Sequence, residues 1–259
     1  MKQKREKKRR KKSGWFSNLI LIIALVVFCV AGFQLFQIGK GYVAGRSEYK
    51  KITKLAITGE AKEEQFQVNF AELLKINPDT VGWLRFFPQP EIINYPIVHT
   101  NNNDTYLTKT FSQNENTVGA IFLNAYNQSL EDKHCIIYGH YMNDGSMFHK
   151  LWDYEKKEFY DANPNFYIYT PDGKEKTYRI FSVARVDEND LTYGIQFDTP
   201  EDFDTFIKHN QEVSIYDTGV EVKNTDQVVS LSTCTSLNDS TDRWKIAGVL
   251  IETKEINKE

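Results

Sequence analysis

The chain has 259 residues, 41% of them hydrophobic and 14% aromatic, and a net charge of −3. That composition suits a folded, strand-rich body with a sizeable core and excludes a disordered chain. The first twelve residues, MKQKREKKRRKK, hold nine Lys/Arg and one Glu, or +8, which leaves −11 on the rest and excludes a nucleic-acid-binding body.

After a basic tail, 1–18, residues 19–38 carry no charge and are long enough to cross a bilayer as a helix. The positive-inside rule places the tail in the cytoplasm and everything from about Lys40 onward outside. A cleaved signal peptide is the alternative, but only 43–45, Val-Ala-Gly, offers a weak cleavage site, so an uncleaved signal anchor is expected. Residues 39–65 are polar and charged and read as a juxtamembrane stalk, or a helix leaning on the body. Residues 66–259 contain no linker and read as one domain. The apolar spacing over 66–76 predicts a helix, ended by Asn77-Pro78. Eight runs rich in Val, Ile, Tyr and Phe then predict strands at 81–86, 92–98, 118–124, 134–140, 165–170, 176–186, 227–234 and 243–251. Helical patterns interrupt them at 146–154 and at 200–210, the latter with Pro at its first turn and acids near its start. The fold class is therefore mainly β: a closed or nearly closed eight-stranded barrel with a few short helices.

Three cysteines are present. Cys29 lies in the apolar span. Cys135 and Cys234 lie in the body, where a single disulfide between them is one reading of their presence. No Cys-x-x-Cys or His-x-x-x-His spacing indicates a metal, and no Gly-x-Ser-x-Gly elbow indicates a serine nucleophile. The last two strands, with the loop TSLNDSTD between them, predict a hairpin that brings Cys234 near Arg243. A cation beside a thiol favours the thiolate and can hold an oxyanion. The bland reading is a small buried Cys and a surface Arg. Of the five histidines, His140 closes a strand-like run after Gly139 and stands at a rim, where a scaffold presents catalytic groups.

The stretch HCIIYGHYMNDGSMFHKLWDY, with VVSLSTC and an Arg nine residues on, resembles the sortases, cysteine transpeptidases of Gram-positive cell surfaces. The family pattern Thr-Leu-x-Thr-Cys stands here as Ser230-Leu231-Ser232-Thr233-Cys234, with Ser for Thr at its first position. NPDTVGWLRF and INYPIVHTNNNDTYL, and the helix at 200–210, are similar to the class B branch. The resemblance implies a sortase-type barrel with an N-terminal transmembrane anchor, and a nucleophile, acid–base and carbonyl-holding set of Cys234, His140 and Arg243. It implies substrate contacts at Asn103, Leu107, Tyr193, Ile195, Ser232 and Thr233, and no metal or cofactor. Its partners would be secreted proteins with a C-terminal sorting signal, and an amine acceptor from a peptidoglycan cross-bridge or a pilin lysine. Thr235 and Ser236 stand where some relatives carry acids, so the role of an acid that orients the histidine is empty here or passes to Asp239 or Asp242. The alternatives are another Cys–His wall enzyme, such as an L,D-transpeptidase or amidase, which does not predict Arg243, and an anchored binding domain with a Cys135–Cys234 disulfide.

Overall fold

The computed structural model describes residues 15–57, 66–234 and 241–256. The chain divides into two compact units, one through Val43 and one spanning Ala44–Glu259. Helix α1 (Trp15–Ala56) is uncharged until Lys40, and its apolar part is long enough to cross a membrane. Residues 44–56 of α1 belong to the second unit and bury Gly45, Tyr49, Ile52 and Ala56, one apolar stripe at helical spacing. Residues 44–56 of the expected stalk are thus helix against the body, and 58–65 lie outside the described residues.

Helix α2 (Phe70–Ile76) begins later than the spacing predicts, because Asn69 caps it by accepting from Glu72 N at 3.2 Å. Phe66 packs instead on Tyr169 and under the Arg85 guanidinium, 3.9 Å from the ring centre. Strands β1 (Thr80–Phe86), β2 (Asn94–His99), β3 (Ile121–Leu123), β4 (His134–Tyr138), β5 (Asn165–Thr170), β6 (Lys174–Asp187), β7 (Val228–Cys234) and β8 (Asp242–Glu255) form one closed barrel in the order β1-β2-β3-β4-β7-β8-β6-β5. The β5–β1 pairing closes it. β2–β3 and β4–β7 are parallel and every other pair is antiparallel. The run at 118–124 yields only three strand residues, because Gly119 turns the backbone at φ +63°.

The segment between β4 and β5 forms a 3-10 helix (Phe148–Glu155) and α3 (Lys157–Ala162). Helix α4 (Pro200–Glu212) starts with a full capping box between Thr199 and Asp202. Its Phe203, Phe206 and Ile207 pack on Phe181, Val228, Ala247 and Val249, so α4 covers the outer face of β6, β7 and β8.

Candidate active site

Three neighbouring strands deliver the expected residues to one end of the barrel. In the parallel pair β4–β7, Tyr138 is opposite Ser232, and the Gly139 N–H still donates to Ser232 O at 3.2 Å. Carrying that register on by two residues sets His140 beside the backbone of Cys234. On the other side, β7 and β8 pair antiparallel with Cys234 opposite Arg243. Position 234 therefore stands between His140 and Arg243. β4 itself ends at Tyr138, two residues before the expected boundary, and His140 stands just past its rim. Gly139 is required there, since a Cβ would lie 2.5 Å from Ile121 and 2.8 Å from Phe148.

The His140 Nε2–H donates to Leu107 O at 2.7 Å. A carbonyl can only accept, so this bond keeps a proton on Nε2 and leaves Nδ1 as the nitrogen able to exchange one. Of the two acids considered for orienting the ring, only Asp242 is among the described residues. Asp242 accepts from Arg185 Nε at 2.6 Å, and Asp239 lies in 235–240, outside the described residues.

A cavity of about 370 Å³ opens beside this row, lined among others by Asn103, Leu107, His140, Tyr193, Thr233 and Arg243. Ser232, the fifth expected substrate contact it includes, is held from behind: its Oγ meets Tyr193 Oη at 2.7 Å. Burial pushes the Tyr193 phenol upward, so it remains a neutral hydrogen-bonding group. Thr233 is 3% exposed, and its Oγ1 has no hydrogen-bond partner among the described residues. The three consecutive asparagines have different duties. Asn102 Oδ1 caps the turn by accepting from Thr105 N at 2.8 Å, whereas Asn103 reaches the cavity while accepting from Ala125 N at 2.8 Å.

Ile195 is half-buried and does not reach the cavity. Gly194 O is held by His134 Nδ1 at 2.6 Å, at the start of β4, so after Tyr193 the chain heads away from the rim. Tyr138, Glu188 and Asn189 do line the cavity and were not singled out in the sequence. Tyr138 had a local signal, being two residues before His140 in the same motif. Glu188 had none: it follows β6 in a polar turn and becomes relevant only because β6 pairs with β8, where its carboxylate grips the Arg243 guanidinium.

Below the cavity wall lies a buried cation. Lys245, opposite Ser232 on β8, donates to Thr192 O at 2.6 Å and Asn210 Oδ1 at 3.1 Å. Burial lowers its pKa to about 7. It ties the Leu191–Tyr193 turn and α4 to the strand that carries Arg243.

The disulfide reading fails on register. Cys135 is a free, buried thiol opposite Val229, and Cys234 lies five residues further along β7. That is roughly 16 Å at a strand's rise per residue, far beyond the Cα separation a disulfide spans. Burial raises the Cys135 pKa to about 12, which makes it inert.

Residues 88–251 match the family model of the sortase domain. The chain is 32% identical over 197 residues to a sortase B of Listeria monocytogenes, covering 75% of this chain and 77% of that protein. It is 26% identical over 240 residues to a sortase B of Staphylococcus aureus, covering 92% and 97%. Among solved structures, it is similar to a sortase B of Bacillus anthracis (29% identity, 83% and 100% coverage, TM-score 0.71). It also resembles a Staphylococcus aureus sortase B–substrate complex (28% identity, 71% and 84% coverage, TM-score 0.65).

Proposed function

This chain belongs to the sortase family as a class B cysteine transpeptidase, and we propose that it cleaves the C-terminal sorting signal of secreted proteins after Thr and passes them to an amine of peptidoglycan. The observation that carries this reading is the strand register that sets position 234 between His140 and Arg243, two residues that both line a cavity. In the first step the Cys234 thiolate attacks the Thr carbonyl carbon. A C–S bond forms, the scissile C–N bond breaks, and the departing amine takes a proton from the His140 imidazolium. In the second, the incoming amine attacks the thioacyl carbon, gives its proton to His140 and releases the Cys234 thiolate. Arg243 serves as donor to the carbonyl oxygen as it gains charge. In the resting state its guanidinium is held by Glu188 at the cavity rim. Leu107 and Asn103 form one wall for the signal, Tyr193 and Thr233 another.

Support for a peptide occupant comes from the similar Staphylococcus aureus structure, which was solved with its substrate. The anchor supports placement at the cell membrane, with the basic tail inside and the barrel outside. Cleavage of a library of sorting-signal peptides tests the reading directly. Cys234→Ala is expected to abolish cleavage and the thioacyl adduct seen by intact-mass spectrometry. Arg243→Ala is expected to lower kcat about 10²- to 10³-fold, the range for loss of an oxyanion donor. Full cleavage by either variant would reject these roles. Supplying cross-bridge peptides and lysine-bearing pilin peptides as competing acceptors then identifies the amine. Preference for the pilin lysine would replace wall anchoring by pilin polymerisation.

A further inference from the structure

His140 rests on two loops, and residues 44–56 of α1 grip both. The first loop, 108–119, follows Leu107, whose carbonyl receives the His140 Nε2–H. Its far end is Gly119, where a Cβ would lie 2.7 Å from Tyr106 O, 2.9 Å from His140 Cδ2 and 3.0 Å from Leu107 O. The backbone of Gly119 is thus packed directly on the imidazole and on the carbonyl that orients it. The buried Tyr49 hydroxyl donates to Gly119 O at 2.7 Å and accepts from Phe111 N at 3.2 Å. One residue earlier, Glu48 accepts from Ser112 N and Asn114 Nδ2, each at 3.0 Å.

The second loop, 141–147, leaves His140 directly and returns to it through Phe148 N, which donates to His140 O at 3.0 Å. Arg46 Nε donates to its Asp144 Oδ2 at 2.7 Å. Tyr95 Oη accepts from its Met147 N at 3.1 Å, and the Tyr95 ring stands edge-on to Tyr49, with centres 5.3 Å apart. Tyr49 thus holds the first loop directly and reaches the second through Tyr95.

We propose that Tyr49 is a positioning residue for His140, so that the body-facing end of the membrane helix helps to set the proton carrier of the reaction. This rests on His140 acting as the acid that protonates the leaving amine. A displacement of about an ångström in such a group is enough to lower a rate many-fold without touching substrate affinity.

The test uses the full chain in detergent micelles and two probes. One is the sorting-signal peptide that the wild type cleaves fastest in a library. The other is the same peptide with its scissile amide replaced by a thioester. An amine must be protonated to leave, whereas a thiolate leaves unaided. In single-turnover release of the leaving group, which isolates acylation from the second step in which His140 is again needed, Tyr49→Phe is expected to lower the amide rate about tenfold, with the thioester rate within about twofold of wild type. Equal losses on both probes, or no loss on either, would overturn the proposal. His140→Ala is run in parallel. If it cleaves the amide at the wild-type rate, the acid role itself is wrong, whatever Tyr49→Phe does. If Tyr49→Phe fails to fold by circular dichroism, Glu48→Ala loosens the same loop, and the same outcomes decide.

Discussion

His134 and His140 stand at opposite ends of β4, and their surroundings separate their roles. His134 is fully buried, with Nδ1 on Gly194 O and Nε2 on Ser230 Oγ, and its ring packs against Phe206. Burial, with the nearby Lys245 charge, lowers its pKa to about 3. The unfolded chain, near 6.5, therefore takes up a proton first as the pH falls. Stability contributed by this residue is present above about 6.5 and is lost on acidification toward 3, at no more than about 1.4 kcal/mol per pH unit. Urea melts at pH 4 and pH 7 check this: His134→Gln should narrow the difference between them, and an unchanged difference would mean that another group titrates. In the sequence both histidines were only members of strand-like runs. Gly139 and the rim position distinguished His140, while nothing local marked His134, because its partners Ser230 and Gly194 are distant in the chain. Thr233 was legible through the motif, but its unpartnered hydroxyl was not, since that depends on what surrounds the end of β7.

The cavity wall opposite Leu107 is built by elements rather than by one residue. The Leu191–Tyr193 turn is capped by Asp190, which accepts from Thr192 N at 2.8 Å and meets His209 of α4 at 3.1 Å. Lys245 binds the turn from below. Lys245→Met would leave Thr192 O and Asn210 Oδ1 without their donor, at about 1–3 kcal/mol in stability. It should also release Tyr193 from its fixed place and raise KM for the sorting peptide, with kcat less affected. Steady-state kinetics and a thermal melt read both parts, and an unchanged KM would show that the wall holds without its lysine. Because the Lys245 pKa is lowered from 10.5 to about 7, the unfolded state binds the extra proton between those values, and stability from this site rises as the pH rises through that window. The existence of α4 was readable from Pro200 and its acidic start. That its apolar face caps the strands bearing Cys234 and Arg243 was not, because the pattern fixes which face is buried and not against what.

At the scale of the molecule, each strand was legible as a β-branched and aromatic run, and the antiparallel β7–β8 pair as a hairpin. The barrel order was not, because β2–β3 and β4–β7 are parallel and joined by long excursions whose ends carry no pairing signal. The extent of α1 was hidden too, since Arg46, Glu48 and Lys51 look like solvated stalk until their partners or the buried stripe beside them are seen. Orientation is testable on whole cells: external protease should degrade the 44–259 body and spare an epitope placed on the basic tail, and the reverse pattern would invert the topology. The parallel β4–β7 pairing carries a temporal consequence. His140 and Cys234 sit far apart in the chain, and no local hairpin brings them together. Their alignment requires a long-range contact that forms slowly and only as the sheet closes on itself. Until the sheet closes, positions 140 and 234 stay apart, so any chemistry that needs both waits for the finished barrel.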